Sequence, residues 1–330
     1  MIRFAGLRPF PAFALLLAAA ACGRQPSVEV TLGLPVMQRP ADWSPARAEL
    51  GKQLFFDPRL SSDGSMSCST CHLHEHAWTD AKALSTKVDG KLNTRNSPSL
   101  YNVGYQPYYY WDGRAATMEA NVAAAWKGHM GGDPDAMAAA LAKVEGYAAA
   151  FDAAYGQAPT GALLVDALCA FVRSLQAGGT RFDEYEAGQT DALSAEERAG
   201  RDLFFGKAAC ITCHTPPLFT DFAFHNIGLT SGEAGDPGRQ AQDPTAAFGS
   251  FKTPGLRGVG ASAPYFHDGS VATLEEAVRL MASAGVDGEH VDPILKARGD
   301  LKLSDAEIAQ LVAFLKALAP RDVFTAPKLP

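Results

Sequence analysis

Two short stretches carry the same chemistry, Cys68-Ser-Thr-Cys71-His72 and Cys210-Ile-Thr-Cys213-His214. In a C-x-x-C-H pattern each thiol can add to one vinyl group of a single haem, and the following histidine is held under the iron as its proximal ligand. Zinc sites and redox dithiols draw on the same residue types. Zinc-binding pairs usually lie within about 20 residues of each other, and a redox C-x-x-C has no need of the histidine. These two motifs stand far apart in the chain, and both carry the histidine. The pattern points to two covalently bound haem c groups. Cys169, in the apolar helical stretch "ALLVDALCAFVRSL", reads as a buried core thiol.

The surroundings of the motifs are also written twice. "GKQLFF" at Gly51–Phe56 precedes the first and "GRDLFF" at Gly200–Phe205 precedes the second. Trp111 lies thirteen residues after Pro98, and His267 lies thirteen after Pro254. Asp112-Gly113-x-x-Ala116-Thr117-x-Glu119 then aligns without a gap to Asp268-Gly269-x-x-Ala272-Thr273-x-Glu275. One haem-binding unit has been duplicated.

The copies differ where iron chemistry is decided. Met281 lies fourteen residues after His267, and the matching position after Trp111 is Ala125. A thioether is a good sixth ligand for haem iron, and alanine cannot ligate at all. Met281 by itself also reads as a core methionine on an apolar helix face. The comparison predicts a closed centre in the second half and an open one in the first, where peroxide or oxygen can bind.

The elements that must position these residues are helical. The fold expected is mainly α, two tandem cytochrome c-like haem domains with long loops. Ser44-Pro45 looks like an N-cap with proline at the first helical position. Ser194…Glu197, Thr273…Glu276 and Ser304…Glu307 fit capping boxes ahead of apolar-periodic runs. Asp133-Pro134 opens what reads as one long alanine-rich helix, and "TGALLVDALCAFVRSLQAGG" gives another. The 330 residues suffice for two domains, and the net charge of -7 argues against a nucleic-acid binder. Residues 1–21, with Arg3, Arg8 and the run "FALLLAAAA", read as an export signal. Cys22 follows the small residues as the lipidated cysteine of a bacterial lipoprotein does, with plain secretion as the alternative. The expected organisation is a signal over 1–21, a tether over 22–40 and haem domains over 41–188 and 189–330, in a periplasmic protein anchored through Cys22.

The motifs "LGKQLFFDPRLSSDGSMSCSTCH", "RNSPSLYNVGY", "WDGRA", "FKTPGLRGVG" and "PYFHDGSVATLEEAV" closely resemble the bacterial di-haem cytochrome c peroxidase family, which includes MauG. The resemblance covers nearly all of the chain after about residue 40. It implies a peroxidatic N-terminal haem on His72 and an electron-transfer C-terminal haem on His214, with Met281 as axial ligand. It makes Trp111 the electron bridge between them. It also implies a calcium ion between the domains, held by the Asn96 side chain and the carbonyls of Ser262 and Pro264. The implied substrate is hydrogen peroxide. The implied electron donor is a small cytochrome c or cupredoxin, and a MauG-like oxidase would instead withdraw electrons from a partner protein. A plain di-haem electron-transfer cytochrome is the non-enzymatic alternative, and a homodimer is common among the peroxidases.

Two positions depart from that pattern. Val88 stands where the classical peroxidases carry a distal histidine, so the first haem is expected to be open without reductive activation. Gly131 stands where the family's acid/base glutamate is counted to fall. His129, two residues earlier, is the candidate replacement as proton shuttle; His129 or Met130 as an iron cap, and His129 as a solvent-facing loop residue, are the alternatives. His74 and His76 read as surface or propionate-contacting residues, His225 as a hydrogen-bonding residue near the second haem, and His267 as a support for that haem's propionates or loop. Arg114 and Arg257 are candidate propionate partners.

Overall fold

A computed structural model describes residues 31–229, 235–285, 288, 290–321 and 323–330. The signal over 1–21, the lipidation site Cys22 and the tether up to residue 30 lie outside the described residues. Among them ten α-helices carry the fold: α1 Pro45–Phe55, α2 Met118–Met130, α3 Pro134–Leu141, α4 Glu145–Tyr155, α5 Gly161–Ser174, α6 Arg181–Glu186, α7 Ala195–Phe205, α8 Leu274–Ala282, α9 Pro293–Arg298 and α10 Asp305–Lys316. The sheet content is one antiparallel pair of two-residue strands, β1 Phe224–His225 and β2 Phe251–Lys252. None of these helices is long and apolar enough to cross a membrane.

The helix starts follow from local chemistry. Ser44 accepts from the amide of Arg47 with Pro45 at the first position, and Asp133 accepts from Ala136. Ser194–Glu197, Thr273–Glu276 and Ser304–Glu307 each form both bonds of a capping box. The alanine-rich stretch after Asp133 is not one long helix. It breaks between α3 and α4, with neither glycine nor proline at the break, and this lets Leu141 from α3 and Tyr147 and Phe151 from α4 all enter the same core.

Each half is built on one helix crossing. In the first, α1 lies across α5; in the second, α7 lies across α10. The glycines of the repeated "G-x-x-LFF" sit at the contacts. A Cβ on Gly51 would stand 1.8 Å from the Ala167 carbonyl oxygen, and one on Gly200 would stand 1.9 Å from that of Gln310. Only glycine lets the backbones approach so closely. Two apolar clusters result, one drawn from residues 50–175 and the other from 182–318. The chain's end returns to the first cluster, where Phe324 stacks on Phe56 at 5.4 Å and meets Trp78 edge-on at 4.8 Å.

The duplicated "YYYWDGRA" and "PYFHDGSVA" fold alike. The Tyr109 amide donates to the Ala115 carbonyl at 2.9 Å, and that of Tyr265 donates to Val271 at 2.8 Å. Tyr110 and Phe266 take φ of 66° and 69° at matching places. Thr117 and Thr273 then cap α2 and α8. The loops exchange across the middle of the molecule: the Asn96 amide donates to the His267 carbonyl at 2.7 Å, and the Lys252 amide donates to Trp111 at 2.8 Å. Asn96 and Lys252 each stand two residues before the repeated proline, so the exchange is a pseudo-twofold one.

Candidate haem and peroxide site

The two C-x-x-C-H motifs form the same tight turn. The His72 amide donates to the Cys68 carbonyl at 3.1 Å, and that of His214 donates to Cys210 at 2.9 Å. The His72 ring uses Nδ1 on the Trp78 carbonyl at 2.8 Å, and His214 uses Nδ1 on Phe219 at 3.0 Å. That bond fixes the tautomer with the proton on Nδ1 and leaves the Nε2 lone pair suited to a metal. Burial holds both imidazoles below their ordinary pKa, so they are neutral donors of a lone pair. Burial also pushes the Cys68 thiol up to about 12 and Cys210 up to about 11. Thiols held so firmly protonated are unsuited to redox exchange, which needs the thiolate.

A cavity of about 300 Å³ lies between the halves. Its wall brings together Cys68, Cys71, His72, Asn96, Trp111, Ala125, His129, Ser262 and Pro264. Cys210, Cys213, His214 and Met281 are not part of that wall. Met281 stands half-buried on α8, at the helix position that Ala125 holds on α2 when both are counted from their capping threonines.

Helix α2 presents one face to the cavity, with Met118, Asn121, Val122, Ala125, Trp126 and His129 in the wall. Its last carbonyls are satisfied by neighbouring loops: the Val88 amide donates to His129 and the Ser62 amide to Met130, both at 2.9 Å. Gly131 ends the helix at φ 63°, and a Cβ there would lie 2.8 Å from Ser62 Oγ and 3.2 Å from Val88 Cγ1. Glycine at 131 is thus required by the turn, and this position is not in the cavity wall. His129 is a helical residue facing the cavity, which corrects the solvent-facing loop alternative. Burial first, and then the nearby charges of Lys87 and Arg114, pushes its pKa down to about 4.

Trp111 joins the two halves. Its Nε1–H donates to the Asn96 carbonyl at 3.0 Å, while its own carbonyl accepts from Lys252. The adjacent Asp112 is buried and bonded to Arg95 at 2.7 Å and Arg114 at 3.0 Å. Arg114 also lies 3.4 Å over the Tyr110 ring.

One expectation is corrected. Arg257 is not available to a haem carboxylate, because all five of its N–H groups are committed. They donate to both oxygens of Asp183 at 2.7 and 2.8 Å and to the carbonyls of Pro217, Ala177 and Gly33. The half-buried His74 ring packs on Trp78 at 5.5 Å and Phe324 at 5.1 Å. His267 stacks flat on Phe251 at 3.7 Å. His225 is clamped by Asp292 at 2.6 Å and Asp221 at 3.1 Å. Its ligating atoms come within 4.8 Å of those of Asp221 and Cys213, but Cys213 belongs to the haem-attachment motif.

Known proteins resemble this chain along most of its length. A family model for di-haem cytochrome c peroxidase matches residues 45–191. The methylamine utilization protein MauG of Methylophilus methylotrophus is 34% identical over 277 residues, 82% of either chain. The chain belongs to the di-haem cytochrome c peroxidase/MauG family. Cytochrome-c peroxidase IdrP1 of Denitromonas iodatirespirans is 34% identical over 337 residues, covering 90% of this chain and 89% of its own. The crystal structure of a MauG-like protein associated with microbial copper homeostasis superposes with a TM-score of 0.80 at 30% identity, covering 92% of this chain and 96% of that one. A cytochrome c-like model, RoxA-like, matches residues 250–283.

The residues present fit the two haem c groups that this family implies. Paired thiols, a histidine with Nδ1 pinned and Nε2 free, and a cavity beside the first motif are what covalent attachment needs. A calcium ion is compatible with Asn96, whose amide nitrogen donates to the Lys82 and Ala83 carbonyls at 2.8 and 3.2 Å. That orientation leaves Oδ1 as the atom to face a cation.

What sequence reasoning missed is Lys252, buried in the cavity wall with its ammonium on Gln106. The signal was available in the repeat, where Lys252 aligns with Asn96.

Proposed function

We propose that this chain is an exported di-haem peroxidase that reduces hydrogen peroxide in the cavity between His72 and helix α2. The observation that carries the reading is the wall of that cavity. His72, His129 and Ala125 all line it, and Ala125 holds on α2 the position that Met281 holds on α8, which supports an open first centre. His72 would hold the first haem and His214 with Met281 the second. Haem iron held there would supply the redox chemistry that peroxide cleavage requires, with its electrons coming from the external donor.

The protein's own part is proton handling, water exclusion and electron delivery. Neutral His129 takes the proton from one peroxide oxygen and returns it to the other, the transfer that heterolysis needs. The apolar side chains of Met118, Val122, Ala125 and Trp126 on α2 would narrow the space around the reacting oxygens. Trp111, bonded into both halves, carries electrons from the second centre to the first. Two electrons and two protons per peroxide yield two waters. The donor is a small redox protein, cytochrome c or cupredoxin in kind. Asn96, Ser262 and Pro264 would hold calcium beside this path, and Cys22 would anchor the protein at the periplasmic membrane face.

A second reading rests on the likeness to MauG and to the MauG-like crystal structure. In it the same site oxidises side chains of a partner protein. The test is the holoprotein with hydrogen peroxide and reduced cytochrome c. Oxidation of two cytochromes per peroxide supports the peroxidase. A haem that reacts with peroxide while reduced cytochrome and cupredoxin remain unoxidised rejects it in favour of the oxidase.

A further inference from the structure

Lys252 is only 7% exposed and lies in the wall of the interdomain cavity. Its ammonium donates to Gln106 Oε1, a neutral acceptor supplied by the other half. Among the described residues no carboxylate stands within ion-pair reach of it. An ammonium offers three donors, and burying one without an anion is costly. Burial alone pulls this lysine down to about 8.

The pseudo-twofold exchange sharpens the point. Asn96 and Lys252 occupy equivalent places, each donating its backbone amide across the interface to the residue of the opposite copy, His267 or Trp111. One side of the exchange carries a neutral carboxamide. The other carries the amine of a lysine. Arg257, the more obvious cation nearby, is saturated by Asp183 and three carbonyls.

We infer that Lys252 is a built-in counter-ion for a propionate carboxylate of haem seated in this cavity, and that its charge raises the reduction potential of that haem. This rests on the reading that haem occupies the cavity. A carboxylate beside the ammonium offsets the cost of its burial, and the positive charge favours the reduced, less positive iron.

The experiment is potentiometry on the holoprotein with Lys252→Gln, Lys252→Met and Lys252→Arg, with helix content and haem stoichiometry measured for each. Two haems are expected in all. In either neutral variant that folds, the reduced-to-oxidised ratio of at least one haem at a fixed ambient potential should fall on the order of tenfold, about 59 mV for one electron. Lys252→Arg should stay within about threefold of wild type. Gln106→Leu, which removes the interdomain bond but keeps the charge, should leave both potentials in place. Two bound haems with neither potential moved in a folded neutral variant would overturn the inference while sparing the peroxidase reading. A wild-type chain that takes up no haem would overturn both.

Discussion

Replacing His129 with alanine separates the possible roles of that residue. Its pKa of about 4 means that nearly every molecule holds a neutral imidazole at pH 7, ready to accept a proton. The useful form is present above the folded pKa and is lost as pH falls through it. The rate of reaction with peroxide in the wild type should therefore be flat from pH 8 down to about 5 and decline below that, with a midpoint near 4. A positioned general base contributes about 10²- to 10⁴-fold, so His129→Ala should slow the reaction by that factor and flatten the acid limb. His129→Gln, which hydrogen-bonds but cannot shuttle a proton at these pH values, should be nearly as slow. The assay is stopped-flow absorbance of the haem band on mixing with peroxide. A His129→Ala rate within about threefold of wild type would refute the proton-shuttle role, and a faster rate would mean that His129 caps the iron.

Arg257→Met should destabilise the fold by about 3–5 kcal/mol in chemical denaturation, because it leaves the Asp183 carboxylate buried without its partner. Phe324→Ala should cost about 2 kcal/mol by the same measurement, reflecting a half-buried ring lost from the Phe56 and Trp78 contacts. Trp111→Phe removes the donor to the Asn96 carbonyl and should cost about 1–2 kcal/mol. It should retain both haems and slow electron transfer between them, read by flash reduction of the second centre. Met281→Ala should convert the second haem to high spin and lower its reduction potential, seen in its optical spectrum and in potentiometric titration.

Much of this was legible because duplication writes constraints twice. The glycines of "GKQLFF" and "GRDLFF" mark the α1–α5 and α7–α10 crossings, where a Cβ has no room. The paired "WDG" and "HDG" turns place Thr117 and Thr273 as helix caps, and with them Ala125 and Met281 at one helical position. Capping boxes are local, so Ser194, Thr273 and Ser304 could be read directly. Long-range partners could not. Nothing adjacent in the chain commits Arg257 to Asp183, or sets Phe324 against Phe56 and His74. The α3–α4 break has no glycine or proline to announce it, since it serves the packing of Leu141, Tyr147 and Phe151. Counting residues from Trp111 led to Gly131, but the cavity receives the side chain two residues earlier, where the last turn of α2 turns inward.

The division of labour proposed between the two halves is tested most directly by the electron paramagnetic resonance spectrum of the fully oxidised holoprotein at neutral pH. An open first centre and a His214/Met281 second centre predict one high-spin and one low-spin ferric signal of equal weight, with only the high-spin signal lost when peroxide or a small anionic ligand is added. Two low-spin signals and no response to either addition would contradict it.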